Sequence, residues 1–154
     1  MLKTDTVFMQ EAVKEAVKAF DADEVPVGAV IVHKGRIIAR AHNQIRLLKD
    51  PTAHAEMIAL TQASAHLVNE RLLDTTLYST VEPCAMCAGA MVLARIKRLV
   101  YGVRDPKTGA SGSVINVVNN RRLNHRISVT EGVMESESSS LLKEFFALKR
   151  KARA

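Results

Sequence analysis

The chain has 154 residues, 47% hydrophobic and 25% charged, with 7 Gly and 4 Pro, which is the composition of one globular domain spanning residues 1–154 and excludes collagen-like, disordered and disulfide-scaffold classes. Its longest apolar runs, residues 25–32 and 84–94, fall short of the ~20 residues of a membrane-spanning helix. The amino terminus meets Lys3, Asp5 and Glu11 before any apolar stretch, so a cytoplasmic protein without membrane contact is expected. The net charge of +6 is uneven: residues 1–77 hold 9 Lys or Arg and 10 Asp or Glu, residues 78–154 hold 13 and 6. Such a basic half suits a polyanion such as nucleic acid, because clustered cations release counterions from phosphates; a solvated basic face is the alternative.

Met9, Val13, Ala16, Val17 and Phe20 fall at helical spacing and predict an amphipathic helix over residues 6–20. Residues 25–32 and 37–41, joined at Lys34-Gly35, predict a buried β-hairpin. A polar loop containing Pro51 leads to a helix over 53–66, a strand over 76–81 and a small-residue helix over 84–95. A short strand over 99–102, a loop with Gly109 and Gly112, a short helix over 113–119, a last strand over 127–130 and a helix over 136–151 complete the chain. Strands alternating with helices after an opening hairpin give an α/β class, with a mixed sheet flanked by helices on both faces.

The only two cysteines, Cys84 and Cys87, form one Cys-x-x-Cys unit after Pro83. A redox pair, two metal ligands or two small core residues all fit that unit alone. Pro83 presets a helical first turn, whose N–H groups and dipole favour thiolate. His54-Ala55-Glu56 opens the helix 30 residues upstream. One imidazole and two thiolates leave a tetrahedral position open, the pattern of catalytic zinc, and a carboxylate two residues past the histidine can lean over that position without binding the metal. His54, Cys84 and Cys87 are therefore expected to hold one Zn²⁺ per subunit, and Glu56 to move protons.

The H-x-E and P-C-x-x-C pair is the signature of zinc nucleobase deaminases. Together with EVPVGAV (24–30), HNQ (42–44), DPTAHAE (50–56), LYSTVEPCAMCAGAM (77–91), DPKTGASGS (105–113) and NHR (124–126), it resembles the bacterial tRNA-specific adenosine deaminase family over nearly the whole chain. That resemblance implies a cytidine-deaminase-like three-layer α/β/α sandwich with a central mixed five-stranded sheet. It implies hydrolysis of adenosine to inosine at the wobble position of a tRNA anticodon stem-loop, by zinc-activated hydroxide attacking adenine C6 while Glu56 shuttles protons. It further implies a homodimer, with residues 84–94 and 114–118 as candidate apolar interface, base contacts from Asn43, and pocket walls from Val25 and Val27. Asp105, Lys107 and the last helix would hold flanking nucleotides. Read from the residues alone, Asn43 is more readily a turn former closing the second strand. Of the adjacent aromatics Phe145 and Phe146, about 100° apart on a helix, Phe145 is expected at the rim and Phe146 in the core. A deaminase of a free base such as guanine or cytosine would share the zinc site without needing the basic half. A zinc module that binds RNA without catalysis would leave Glu56 without a task.

Overall fold

The computed structural model describes residues 2–153. Helix α1 (Lys3–Asp21) leads to the hairpin β1 (Gly28–His33) and β2 (Arg36–His42), followed by a one-turn helix α2 (Ile45–Leu48) and helix α3 (Ala55–Leu67). Strand β3 (Thr75–Val81), helix α4 (Ala85–Leu93), strands β4 (Arg98–Val103) and β5 (Ser128–Thr130) and helix α5 (Glu135–Arg153) complete the order. The strands form one sheet in the order β2-β1-β3-β4-β5. The hairpin and the β1–β3 pair are antiparallel, and β3, β4 and β5 run parallel. A parallel β3–β4 pair needs a crossover, which α4 provides.

Side-chain alternation divides β1 between two cores. Ala29 and Ile31 face α3 and α4, with Leu77, Met91 and Leu99; Val30 and Val32 face α1, with Met9, Tyr78 and Val100. Both faces are covered, which is why the strands read as nearly continuous apolar runs. Helix α1 lies directly on β1: a Cβ at Gly28 would sit 2.0 Å from the Ala12 carbonyl oxygen, so only glycine admits this approach. On the α1 side of the sheet, the buried Asp5 carboxylate takes two hydrogen bonds from Arg98, at 2.7 and 2.6 Å, one from the Tyr78 hydroxyl at 2.8 Å and one from the Leu2 N–H at 3.0 Å, clamping α1 to β3 and β4. No helix among the described residues is long and apolar enough to cross a membrane.

Three expectations change. The first strand starts at Gly28 rather than Val25, because Pro26 lacks an N–H and the Val27 N–H turns back to the Val25 carbonyl at 2.8 Å, a three-residue turn that leaves both valines outside the ladder. The loop before Pro51 contains α2, whose first N–H groups, from Arg46 and Leu47, are capped by the buried Glu24 carboxylate at 2.9–3.0 Å. The helix expected over 113–119 does not form. The Ser111 and Ser113 N–H groups bond the Glu82 carboxylate, and the Val117 N–H bonds the Ala110 carbonyl, so the backbone is committed away from a helical ladder.

Candidate active site

The register places the chemistry at one edge of the sheet. β3 ends at Val81 and passes through Glu82 and Pro83 into Cys84, the residue capping α4. Because β1 runs antiparallel to β3, Val27 lies at the same edge, and β2 delivers Asn43 beside it, its N–H bonded to the Val27 carbonyl at 3.1 Å. His54 caps α3 there as Cys84 caps α4. Neither side chain bonds its own helix terminus, which leaves both for other work. The Ala55 N–H is satisfied instead by Asn43 Oδ1 at 2.8 Å, so Asn43 caps α3 from a distant segment and presents its amide NH₂ as the end able to meet a ligand.

His54 Nδ1 stands 3.6 Å from Cys84 Sγ and 3.5 Å from Cys87 Sγ, and the three ligand atoms lie within 4.8 Å of one another. Two corners of a tetrahedron around zinc, with Zn–N of ~2.0 Å and Zn–S of ~2.3 Å, are about 3.5 Å apart, so these residues fit a metal without rearrangement. The three groups also set one another's charge. Hydrogen bonds from the Cys87 thiol and the His54 ring hold Cys84 as thiolate, down to about 3. That thiolate in turn raises His54, and Cys87, bonded to it and buried, is pushed up. A divalent metal bound there would displace the protons of the His54 ring and the Cys87 thiol.

Glu56, in the first turn of α3 and 3% exposed, sits against this cluster. Its Oε1 is buried without a hydrogen-bond partner, and burial pushes its carboxyl up to about 7 against the opposing pull of His54. Such a group can take and return protons near neutral pH.

A cavity of 220 Å³ covers the cluster, lined by Val25, Val27, Asn43, His54, Glu56 and Cys84, with Asp105 and Thr108 closing one side. It is smaller than the ~300–1,000 Å³ of sites for drug-sized ligands and suits one planar heterocycle. Beside it opens an 870 Å³ groove that shares Val25 and carries Lys107, Phe145, Phe146, Lys149, Arg150 and Arg153. Asp23 ties the two sides of this groove, pairing with Arg46 of α2 and Lys149 of α5.

Thus seven of the expected residues, Val25, Val27, Asn43, His54, Glu56, Cys84 and Asp105, line one cavity, with Cys87 directly behind it; Lys107 and Phe145 lie on the groove. The aromatic expectation is reversed. Phe145 is 6% exposed and packs edge-on against Phe20, whereas Phe146 is 45% exposed. Ile45, Val81, Glu82 and Thr108 also line the cavity and were missed. Glu82 stood in the sequence as the acidic residue before Pro83, but nothing in the spacing signals that it is buried.

The chain matches the MafB19-like deaminase family over residues 3–150. It is 48% identical over 147 residues to a tRNA-specific adenosine deaminase of Bacillus subtilis, covering 96% of this chain and 91% of that one. The chain belongs to the tRNA-specific adenosine deaminase family. A structure from work on tRNA:A34 deaminases is similar, with a TM-score of 0.86 and 47% identity over 89% of this chain and 99% of that one. A structure of a guanine deaminase from Nitrosomonas europaea is more distant, at a TM-score of 0.77 and 27% identity over 92% of this chain and 84% of the other.

Proposed function

We propose that this protein, a single deaminase domain over residues 1–154, hydrolyses adenosine to inosine at the first anticodon position of tRNA. The observation that carries this reading is the cavity itself: a base-sized space in which an unpartnered buried carboxylate meets a His/Cys/Cys set, in a chain 48% identical to a tRNA-specific adenosine deaminase.

His54, Cys84 and Cys87 would hold one zinc ion per subunit. When bound, zinc supplies an acidified water, with a pKa of ~7 in comparable sites. Glu56 would move the protons of the hydrolysis: it would take one from the attacking water and give it to the adenine ring nitrogen beside the reacting carbon, then protonate the amine, which leaves as ammonia while the water oxygen stays on that carbon. Asn43 NH₂ orients the base, Val25 and Val27 wall it, and Asp105 closes the side. The unpaired anticodon loop suits this work because its bases can be splayed out of the stack. Lys107, Arg150 and Arg153 on the groove offer cations to the loop phosphates, and the exposed Phe146 offers a stacking face. A homodimer is supported by exposed Leu93, Val114 and Ile115, apolar residues available to a second copy. A tRNA substrate supports a cytoplasmic location.

The test is to incubate the zinc-loaded protein with an anticodon stem-loop carrying adenosine at the first anticodon position, and separately with free adenosine, adenine, guanine and cytosine. Inosine in the stem-loop and no turnover of the free compounds is the expected result. Turnover of a free base alone overturns the substrate assignment.

A further inference from the structure

Glu82 is a buried carboxylate that the chemistry above does not use. It is 3% exposed, stands between β3 and the ligand Cys84, and is wrapped by the loop that closes the cavity. Its Oε1 accepts from the Asp105 N–H at 3.1 Å and from the Ser113 hydroxyl; its Oε2 accepts from the Ser111 and Ser113 N–H groups at 3.0 and 3.1 Å. Gly109 makes the wrap possible, since a Cβ there would lie 2.4 Å from the Glu82 carboxyl carbon and 2.5 Å from the Asp105 carbonyl oxygen. The same loop is fastened to the ligand segment by the Ala110 N–H donating to the Pro83 carbonyl at 2.8 Å, and Gly109 pairs with Cys84 as an isolated bridge.

We propose that Glu82 is a positioning residue: its carboxylate is the post around which residues 105–113 are wound, and it fixes the Asp105–Thr108 wall of the cavity relative to Cys84. The inference rests on the deaminase reading for what the wall meets, a base and its sugar, but the loop's dependence on Glu82 stands without it. Asp105 cannot set the wall itself, because its own carboxylate is spent on the Lys107 and Thr108 N–H groups and the Thr108 hydroxyl, which shape the turn but do not anchor it to the sheet. The anchor is Glu82.

Glu82→Gln separates positioning from folding. An amide offers one acceptor oxygen and one NH₂. Placing NH₂ at the Oε2 side would orphan two backbone donors, whereas placing it at the Oε1 side orphans only the Asp105 N–H, since the Ser113 hydroxyl can turn and accept. The variant therefore keeps the Ser111–Ser113 end and releases the cavity end. We expect full zinc content, faster amide hydrogen exchange at Asp105 with Ser111 still protected, and a tenfold or greater fall in kcat/KM for the stem-loop. Gly109→Ala, which leaves Glu82 in place but pushes the loop off it, should do the same. Because both act on one anchor, the double variant should be little worse than the more damaging of the two single variants.

Unchanged exchange at Asp105 in Glu82→Gln overturns the inference whatever the substrate is. So does an activity loss explained by lost zinc, or a double variant whose losses multiply. A wild-type protein inactive on the stem-loop overturns the substrate assignment instead, and the exchange measurement still decides the role of Glu82.

Discussion

Two carboxylates are buried on opposite faces of the sheet, and they have opposite chemistry. Asp5, 0% exposed, is saturated by Arg98, Tyr78 and the Leu2 N–H, and the Arg98 guanidinium holds it down to about 2. Glu56, 3% exposed, has an oxygen with no partner and is pushed up to about 7. Burial is shared, so burial does not separate them; hydrogen-bond satisfaction does. A buried acid with every lone pair used is a clamp, and one left wanting is poised to exchange protons. Glu82 belongs with Asp5 in satisfaction and with Glu56 in location, which is why it holds the site without doing its chemistry.

The sharpest way to break this contrast is to remove the metal. In the proposed mechanism Glu56 works beside a cation held by His54, Cys84 and Cys87, so chelation should abolish deamination and stoichiometric zinc should restore it, as read by inosine formation alongside metal analysis. Glu56→Gln comes next. Loss of a positioned proton carrier costs ~10²–10⁴-fold in rate, and here kcat should fall by that amount while zinc content is retained. Because the wild-type oxygen is unsatisfied, the unfolding temperature should not drop. A destabilised Glu56→Gln would place Glu56 with the clamps.

Asp5→Asn should give the inverse result, a less stable protein with unchanged turnover. Removing one partner of a buried ion pair costs ~3–5 kcal/mol, and Arg98 keeps some access to solvent, so about 2–3 kcal/mol is expected, or roughly 5–10 °C in Tm for a domain of this size. The pH dependence has a definite sign. A folded-state pKa lowered from 3.8 to about 2 gives stability that is present above pH ~4 and lost as pH falls towards 2. Thermal unfolding followed across that window should steepen in the wild type and flatten in Asp5→Asn.

The grouping of His54, Cys84 and Cys87 with Glu56 beside them was legible in the sequence because metal chemistry constrains residue type and spacing together: each of the four sits at a helix start that Pro83 and the periodicity of residues 53–66 announce. The hairpin and the alternation of strands with helices were legible for the same reason, since each rests on local pattern. What local pattern cannot carry is a buried polar group whose partners are distant in the chain. Glu82 bonds residues 23 to 31 positions away, and those bonds turned an apolar stretch over 113–119, read as a helix, into a wound loop. Glu24 likewise caps α2 from 22 positions away. The order of Phe145 and Phe146 was not legible because a spacing of ~100° says that they face apart and not which one meets Phe20.

The groove tests the outer edge of the contrast, where side chains are exposed and effects are small. Phe146→Ala should raise KM for the stem-loop by roughly tenfold at unchanged kcat, within the ~1–3 kcal/mol of a base stacked on an aromatic ring. Phe145→Ala should instead lower stability, as the loss of a ring buried against Phe20 requires. Arg150 is expected to have the smallest effect. Exposed at the groove next to Lys149, which pairs with Asp23, it adds one cation to the proposed phosphate track, so Arg150→Ala should weaken stem-loop binding only a few-fold at moderate salt. Its diagnostic is the slope of log affinity against log salt, which should flatten by about 0.7 when one fewer phosphate is neutralised on a single-stranded loop. An unchanged slope would mean that Arg150 merely complements the dipole of α5, and would move the RNA track towards Lys107 on the other side of the groove.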